Sequence, residues 1–194
     1  HLMQQGLGLG DALRQASFNG VSIMTGTGYV SANFSAWGGF ATTILLIVMF
    51  IGGCGGSTTC GIKVFRLQVL AGTVKVQISR LLRPHAVVLA YYNKRPVSIE
   101  VMDSVMGFFY LYILGFVVIA LFLGMTGLDF VTALSGAATS ISNVGPGLGQ
   151  VIGAEGNFSS IPDSAKWVMS FAMILGRLEI FTVLVMLAPG FWQR

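Results

Sequence analysis

One apolar run, residues 105–124, limits the possible folds most strongly. It reads VMGFFYLYILGFVVIALFLG and contains no charged side chain. About 20 apolar residues in a helix cross the hydrocarbon core of a bilayer. Two other runs of similar length, 36–53 and 167–189, are also rich in apolar residues, and the chain as a whole is 54% hydrophobic and 9% charged. Since soluble domains carry about a quarter charged residues, the sequence predicts an all-α membrane protein with three spans.

Two shorter segments follow a common plan and suggest an internal repeat. Residues 11–29 read DALRQASFNGVSIMTGTGY and residues 129–146 read DFVTALSGAATSISNVGP. Each begins with an Asp suited to cap a helix and reaches a loop glycine, Gly28 or Gly145. A polar segment and then a Trp-initiated apolar run follow in both cases. The repeated unit is therefore a short helix, a glycine loop, an outer segment and a long helix.

The short helices are too short to cross a bilayer, so each must return its backbone through the loop. Irregular backbone at membrane depth is tolerated only where protein buries it or water reaches it. Glycine permits positive φ angles, and carbonyl oxygens can replace the hydration shell of a monovalent cation. The negative end of each helix dipole also favours a cation. The pattern predicts re-entrant pore helices at 11–24 and 129–141, with filter loops at 25–30 and 142–147. The alternative is that these glycines only serve helix packing.

A second glycine cluster, GGCGGSTTCG at residues 52–61, interrupts the helix that follows the first loop. Five glycines in ten residues make a poor helix, so we predict a mobile gate loop beneath the filter. Its gate residues are Gly52, Gly53, Gly55, Gly56, Ser57 and Thr58. Arg177 lies near the middle of the third predicted span, where an arginine is costly. It is either a positive barrier in the ion path or a structural donor to carbonyls of a neighbouring loop, and the two roles are compatible.

The bases concentrate at residues 63–95, which hold seven of the eleven Lys and Arg and no Asp or Glu. The positive-inside rule predicts that this linker is cytoplasmic. Nucleic-acid binding is disfavoured because apolar spans flank the linker on both sides, whereas contact with anionic membrane lipid is compatible with it. An enzyme is not predicted, because there is no metal-ligand cluster and the two histidines, His1 and His85, have no nucleophile beside them.

Four segments carry a resemblance to a known family: SIMTGTGY (22–29), FIGGCGGSTTCGIKVFR (50–66), SNVGPGLG (142–149) and GRLEIFTVLVMLAPGFW (176–192). They resemble the superfamily of potassium transporters that includes Trk, Ktr and the plant HKT proteins, and in particular the bacterial Trk potassium-uptake membrane subunit of the TrkH/TrkG type. The resemblance covers essentially all 194 residues.

The resemblance implies four membrane–pore loop–membrane repeats around one pore. Residues 1–95 would be a third repeat without its first helix, and residues 96–194 a complete fourth repeat with its outer loop at 148–166. The implied K+ ligands of the filter are Thr25, Gly26, Thr27, Gly28, Tyr29, Ser142, Asn143, Val144, Gly145 and Pro146. The segment 52–61 and Arg177 match the family's gate. Position 26 is Gly where the family usually has Thr, which predicts a looser first loop.

The function implied is potassium uptake across the bacterial inner membrane by a multi-pass protein. The family works as a homodimer with a peripheral nucleotide-binding regulatory subunit on the cytoplasmic face. Potassium, the transported ion, and membrane lipid are thus the expected small partners. Sodium or mixed sodium/potassium transport is one alternative. The other, from a different class, is a membrane assembly module that conducts nothing.

Overall fold

The computed structural model describes residues 8–83, 88–178, 180–187 and 189–192, and most of them are helical. The helices are α1 (Leu9–Met24), α2 (Gly39–Phe50), α3 (Val64–Leu82), α4 (Ile99–Met125), α5 (Phe130–Ser142), α6 (Asp163–Arg177) and α7 (Ile180–Leu187). Strands β1 (Tyr91–Tyr92) and β2 (Arg95–Pro96) form a small antiparallel hairpin. Three 3-10 turns lie at Phe34–Trp37, Phe158–Ser160 and Pro189–Phe191. His1 and His85 lie outside the described residues.

Helix α4 is long and apolar enough to cross a membrane, and within the described ranges it is the one helix that is. It has 27 residues and begins six residues before the predicted span. Tyr110, Ile113, Val117 and Leu121 are 67%, 55%, 43% and 64% exposed on its surface. Soluble proteins seldom expose a continuous apolar face of this kind, so this side of α4 is suited to an apolar neighbour such as lipid or another helix.

The other two predicted spans are each interrupted. In the stretch 36–53 the α-helix is only Gly39–Phe50, 12 residues long. At 1.5 Å per residue it covers about 18 Å, less than a hydrocarbon core of roughly 30 Å. In the stretch 167–189, α6 ends at Arg177 and α7 begins at Ile180. Arg177 therefore lies in the last turn of α6, where the helix dipole stabilises a cation, and not in the middle of a continuous helix as predicted.

The predicted linker at 63–95 is largely helical. It begins with the 19-residue helix α3, which buries Val69, Thr73 and Val76 and packs against α4. The hairpin of β1 and β2 follows. Residues 84–87, between α3 and this hairpin, lie outside the described part. The glycine-rich segment 52–61 thus separates two helices, α2 and α3.

The repeated unit is present twice in the structure. A half-helix (α1 or α5), a glycine loop, a 3-10 turn and an apolar helix (α2 or α6) follow in the same order. Each 3-10 turn is capped by an Asn side chain: Asn33 accepts from the Ser35 amide at 3.1 Å, and Asn157 accepts from the Ser159 amide at 3.0 Å. The tripeptide Asn-Phe-Ser occurs at both places, a signal of the repeat that our sequence comparison overlooked.

The two half-helices begin differently. Asp129 caps α5 as predicted, since its carboxylate accepts from the Thr132 amide at 3.2 Å. The prediction that Asp11 caps α1 is wrong, because α1 begins earlier, after Gly8. Asp11 lies in the first turn and pairs with Arg14 at 3.1 Å. The start of the filter also shifts, because Ser142 is the last residue of α5 and not part of the loop.

Helix packing brings the two glycine loops together. Helix α5 lies between α4 and α6, α1 packs on α2, and α2 contacts α5 and so joins the two units. The core around α2 includes Phe34 and Trp37 from the first unit and Val144 and Leu148 from the second. The loops after α1 and α5 are therefore neighbours inside the fold.

Candidate functional site

The first glycine loop folds back onto the end of α1. The carbonyl of Ser22 accepts hydrogen bonds from the amides of Thr27 and Gly28, at 3.0 and 3.3 Å. The Ser22 hydroxyl donates to the carbonyl of Tyr29 at 2.7 Å. Thr25 is the C-cap of α1, and its hydroxyl lies 2.8 Å from that of Thr27. Local bonds from the half-helix thus fix the loop.

The second loop makes the same turn, except that a side-chain hydroxyl replaces a backbone carbonyl as one of the two acceptors. The carbonyl of Thr139 accepts from the Val144 amide at 3.0 Å, and the Thr139 hydroxyl accepts from the Gly145 amide at 2.9 Å. Asn143 has a φ of +52°, in the left-handed region that Asn tolerates better than most residues. Its side-chain amide donates to the carbonyl of Met173 in α6 at 3.0 Å. The second loop is therefore tied to its half-helix and also to α6.

The hydrogen bonds donated by the loop amides determine where the loop carbonyls point. A trans peptide group directs its N–H and the preceding C=O to opposite sides. Because the amides of residues 27, 28, 144 and 145 face their own half-helices, the preceding carbonyls face away from them. Those carbonyls belong to Gly26, Thr27, Asn143 and Val144. Two of the four come from each loop.

The two loops also approach each other closely. A Cβ placed on Gly28 would overlap the carbonyl oxygen of Val144, and it would lie 3.1 Å from Cδ of Pro146. A Cβ on Gly26 would lie 3.5 Å from the carbonyl oxygen of Asn143. Both glycines have positive φ, +74° and +68°, so glycine is required at Gly28 by space and conformation together. The structure thus brings the two predicted filter loops together at their glycines. Tyr29, at the end of the first loop, is 73% exposed.

Each loop is fastened again as it leaves the site. In the first unit, the Asn19 carboxamide accepts from the Ser31 amide at 3.1 Å and donates to the Ser31 hydroxyl at 3.0 Å. In the second, the Ser135 hydroxyl accepts from the Leu148 amide at 3.0 Å. Asn19 and Ser135 are buried and were missed by the sequence reasoning. Polar residues on otherwise apolar half-helices were the available signal.

The segment predicted as a gate is a closed loop between α2 and α3. The Gly52 amide donates to the Ile62 carbonyl and the Ile62 amide to the Phe50 carbonyl, both at 2.8 Å. Gly56 and Gly61 have φ of +83° and +78°, which explains why a glycine-rich sequence forms this turn. The two ends of the loop are thereby held side by side.

Two cations hold the tip of this loop. The Lys63 ammonium donates to the carbonyl of Ser57 at 2.6 Å and also to that of Thr59. The Arg177 guanidinium donates from Nη1 to the carbonyl of Thr58 at 2.7 Å. Arg177 therefore makes the structural contact that the sequence left as one of two alternatives. The sequence reasoning missed Lys63, which it treated as one base of a linker.

A cavity of about 360 Å³ lies next to the tip of the loop at 52–61. Residues 56–61 line it on one side, and Arg66, Tyr112 and Arg177 line it on others. Thr59 reaches the first glycine loop, with its methyl carbon 3.9 Å from a Cβ position on Gly26. In the described ranges no group of three or more His, Cys, Asp or Glu side chains could hold a metal.

Comparison with known proteins gives the family. The TrkH family, described as cation transport protein, matches residues 3–194. This chain belongs to the TrkH family. That description is of transporters, in agreement with the prediction that the chain is not an enzyme. The resemblance predicted from four short motifs is therefore confirmed, together with the all-α membrane transporter fold.

Curated relatives and a solved structure agree with this assignment. The chain is 45% identical over 192 residues to the Trk system potassium uptake protein TrkI of Halomonas elongata, covering 99% of this chain and 39% of that protein. It is 43% identical over 183 residues to the Trk system potassium uptake protein TrkH of Vibrio parahaemolyticus, covering 94% and 37%. The crystal structure of the potassium transporter TrkH from Vibrio parahaemolyticus matches with a TM-score of 0.85 and 42% identity, covering 94% of this chain and 38% of that one. The chain thus spans about two fifths of the length of these relatives.

Proposed function

We propose that this chain forms part of a potassium pathway in a multi-pass transporter of the bacterial inner membrane. The carbonyls of Gly26, Thr27, Asn143 and Val144 carry the proposal, because they point away from their half-helices where the two loops meet. Such carbonyls replace the hydration shell of K⁺ and let it leave water at low cost. The names of the relatives, which are potassium uptake proteins, support K⁺ as the ion.

In this proposal the filter is built from segments 25–29 and 143–146, without Ser142, which belongs to α5. Glycines at its centre allow the backbone to turn, and each half-helix directs the negative end of its dipole at the ion. Two loops enclose an ion only on two sides. We therefore infer that two further loops of the same kind complete the filter, as the repeat architecture of the resemblance implies.

We further propose that the loop at 52–61 is the gate and that Arg177 holds it closed. The bond from Arg177 to the Thr58 carbonyl keeps the loop tip near the first filter loop. Arg177, Lys63 and Arg66 all line the cavity, and their three positive charges disfavour a cation there. Release of the Thr58 carbonyl would let the loop move and remove part of this barrier.

The basic residues of α3 and the hairpin favour a cytoplasmic position for this end of the molecule. This basic surface is where we propose that anionic lipid and a peripheral nucleotide-binding regulatory subunit meet the protein. We also propose that the transporter is a homodimer, as the resemblance implies.

Flux into liposomes tests the ion. The intact transporter is reconstituted with its regulatory subunit and nucleotide, and potassium-driven flux is compared with sodium-driven flux. We expect potassium flux to exceed sodium flux at least about tenfold, because the loops position carbonyls rather than charged ligands. Equal fluxes would replace the proposal with mixed sodium/potassium transport. Absence of both would favour the assembly module.

The gate is tested in the same liposomes with Arg177→Ala. We expect a higher resting potassium flux, because the Thr58 carbonyl loses its donor and the cavity loses a positive charge. The matched control is Arg14→Ala, since the Arg14 side chain is 76% exposed on α1, away from the gate loop. A resting flux equal to that of the control would contradict the role given to Arg177.

A further inference from the structure

Tyr112 connects the gate loop to the second filter loop. It lies in α4, is only 2% exposed, and its hydroxyl is 2.8 Å from that of Ser142. Ser142 is equally buried and is the last residue of α5, directly before the filter loop begins. A hydrogen bond between two buried hydroxyls is costly to break, because each group would lose its partner without gaining water. The start of the filter loop is thereby fixed by α4.

The ring of Tyr112 contacts an aromatic side chain at the beginning of the gate loop. Phe50 packs edge-to-face on Tyr112, with ring centroids 6.3 Å apart. Phe50 is the last residue of α2, and its carbonyl accepts the Ile62 amide that closes the gate loop. A shift of the closed end of the loop would therefore change the packing of this ring.

The other end of the gate loop reaches Tyr112 through a second ring. Phe108 lies one helical turn before Tyr112 and its ring centroid is 5.6 Å from that of Tyr112. The guanidinium of Arg66 lies over Phe108, 3.8 Å from its centroid, and Arg66 is in the first turn of α3, which follows the gate loop. Residues at both ends of the gate loop are thus connected to the Tyr112 ring, Phe50 directly and Arg66 through Phe108.

We propose that Tyr112 is a positioning residue that couples the conformation of the gate loop to the geometry of the filter. This inference rests on the proposed function, since it assigns Tyr112 to the same ion path. Its ring packs against residues at the two ends of the gate loop, so a movement of the loop shifts the ring. Its hydroxyl is bonded to Ser142, so the same movement shifts the start of the filter loop. Movement of the gate loop then alters the ion preference of the filter, and a change at Ser142 alters the gate loop.

The test removes single hydroxyl groups. Tyr112→Phe and Ser142→Ala are made in the intact transporter, separately and together, and the ratio of potassium to sodium flux is measured in liposomes. We expect each single variant to lower the ratio about fivefold, in line with the loss of one buried hydrogen bond. The double variant should be no worse than either single one, since both remove the same bond. Tyr110→Phe is the matched control, because Tyr110 lies on the same helix and is 67% exposed.

A second measurement separates coupling from simple loss of structure. Cys54 and Cys60 are free thiols in the gate loop, and their labelling rate by a water-soluble thiol reagent reports the position of the loop. Measured well below the midpoint of thermal unfolding of each variant, Ser142→Ala should change this rate at least about twofold, whereas the Tyr110→Phe control should leave it unchanged. Unchanged ratio and labelling in both single variants would overturn the inference. A parent protein without potassium preference would contradict the proposed function itself.

Discussion

The two half-helices end in matching loops but have different surroundings. Helix α5 lies between α4 and α6, and ten of its 13 residues are buried. Helix α1 packs on α2 and leaves Leu9, Leu13 and Val21 exposed by 60%, 61% and 54%. Both loops nevertheless direct two amides back to the end of their own half-helix. The loop conformation is therefore fixed by bonds within each unit.

What differs is how each loop is anchored to the rest of the molecule. The second loop is bonded to α6 through Asn143 and to α4 through the hydroxyl of Ser142. The first loop meets the second through Gly28 and the gate loop through Thr59. We infer that the second unit is the rigid frame and that the first loop takes its position from that frame. Four comparisons between substitutions test this difference.

The largest effect is expected at the contact between α5 and α6. A Cβ on Gly176 would overlap the carbonyl oxygen of Ile141, so Gly176→Ala must separate two helices at backbone level. We expect a loss of about 3 kcal/mol or more in the free energy of unfolding. The measurement is thermal unfolding in detergent. Gly20→Ala in α1 is the control, because its Cβ meets nothing within 4 Å, and it should stabilise by up to about 1 kcal/mol. Similar losses of stability at Gly176 and Gly20 would contradict the inference that the second unit is the rigid frame.

The next effect compares the two filter glycines. Gly28→Ala combines overlap with the Val144 carbonyl and a left-handed φ, whereas a Cβ on Gly145 meets nothing and only its φ of +110° is strained. We expect Gly28→Ala to abolish potassium selectivity. Gly145→Ala should retain part of it, at a conformational cost of about 1–3 kcal/mol. The ratio of potassium to sodium flux in liposomes measures both. A milder result at Gly28 than at Gly145 would show that the loops do not approach each other as described.

A smaller effect is expected where each loop leaves the site. Ser135→Ala removes the acceptor of the buried Leu148 amide, and Asn19→Ala removes that of the Ser31 amide. We expect Ser135→Ala to cost about 1–3 kcal/mol of stability and Asn19→Ala less, because Ser31 is nearer to solvent. Thermal unfolding again provides the measurement. Ser17→Ala, at an exposed site on α1, is the neutral control, and equal losses at Asn19 and Ser135 would remove the distinction.

The smallest effect concerns the first turns of the half-helices. Asp129→Ala should cost about 1 kcal/mol, since a capping side chain is lost, while Asp11→Ala should change stability by less than about 0.5 kcal/mol because its ion pair is exposed. The hydrogen bond from Thr132 holds the pKa of Asp129 below its usual value. A lowered pKa in the folded state means that this stabilisation is complete above the ordinary carboxyl pKa, near 4, and is lost as the pH falls through the lowered value. Unfolding between pH 3 and 7 checks the direction, and the Asp129→Ala variant should lose part of this dependence.

Much of the fold could be predicted from local signals. Glycines after a half-length apolar helix indicated both loops, and Asp129 indicated the start of α5. Uninterrupted apolar residues indicated α4. These features depend on short stretches of sequence, so a single chain carries enough information to find them.

The remaining features depend on contacts between distant residues. Apolar composition did not reveal that α6 ends at Arg177, because the arginine bonds to Thr58, 119 positions away in the chain. Lys63 is an exception, because the carbonyls it bonds lie only six and four positions before it in the chain, but nothing in the sequence distinguishes it from the other basic residues of the linker. The bond between Tyr112 and Ser142 likewise joins residues 30 positions apart, and nothing in either local sequence indicates it.

Localisation of a bound ion would test the central claim most directly. Crystals of the intact transporter grown in Rb⁺, a K⁺ substitute with a strong anomalous signal, would show where the ion rests. Our account predicts an anomalous peak in direct contact with carbonyl oxygens of segments 26–27 and 143–144. A peak elsewhere in the protein, or no peak while potassium flux is intact, would contradict the claim that these two loops line the ion path.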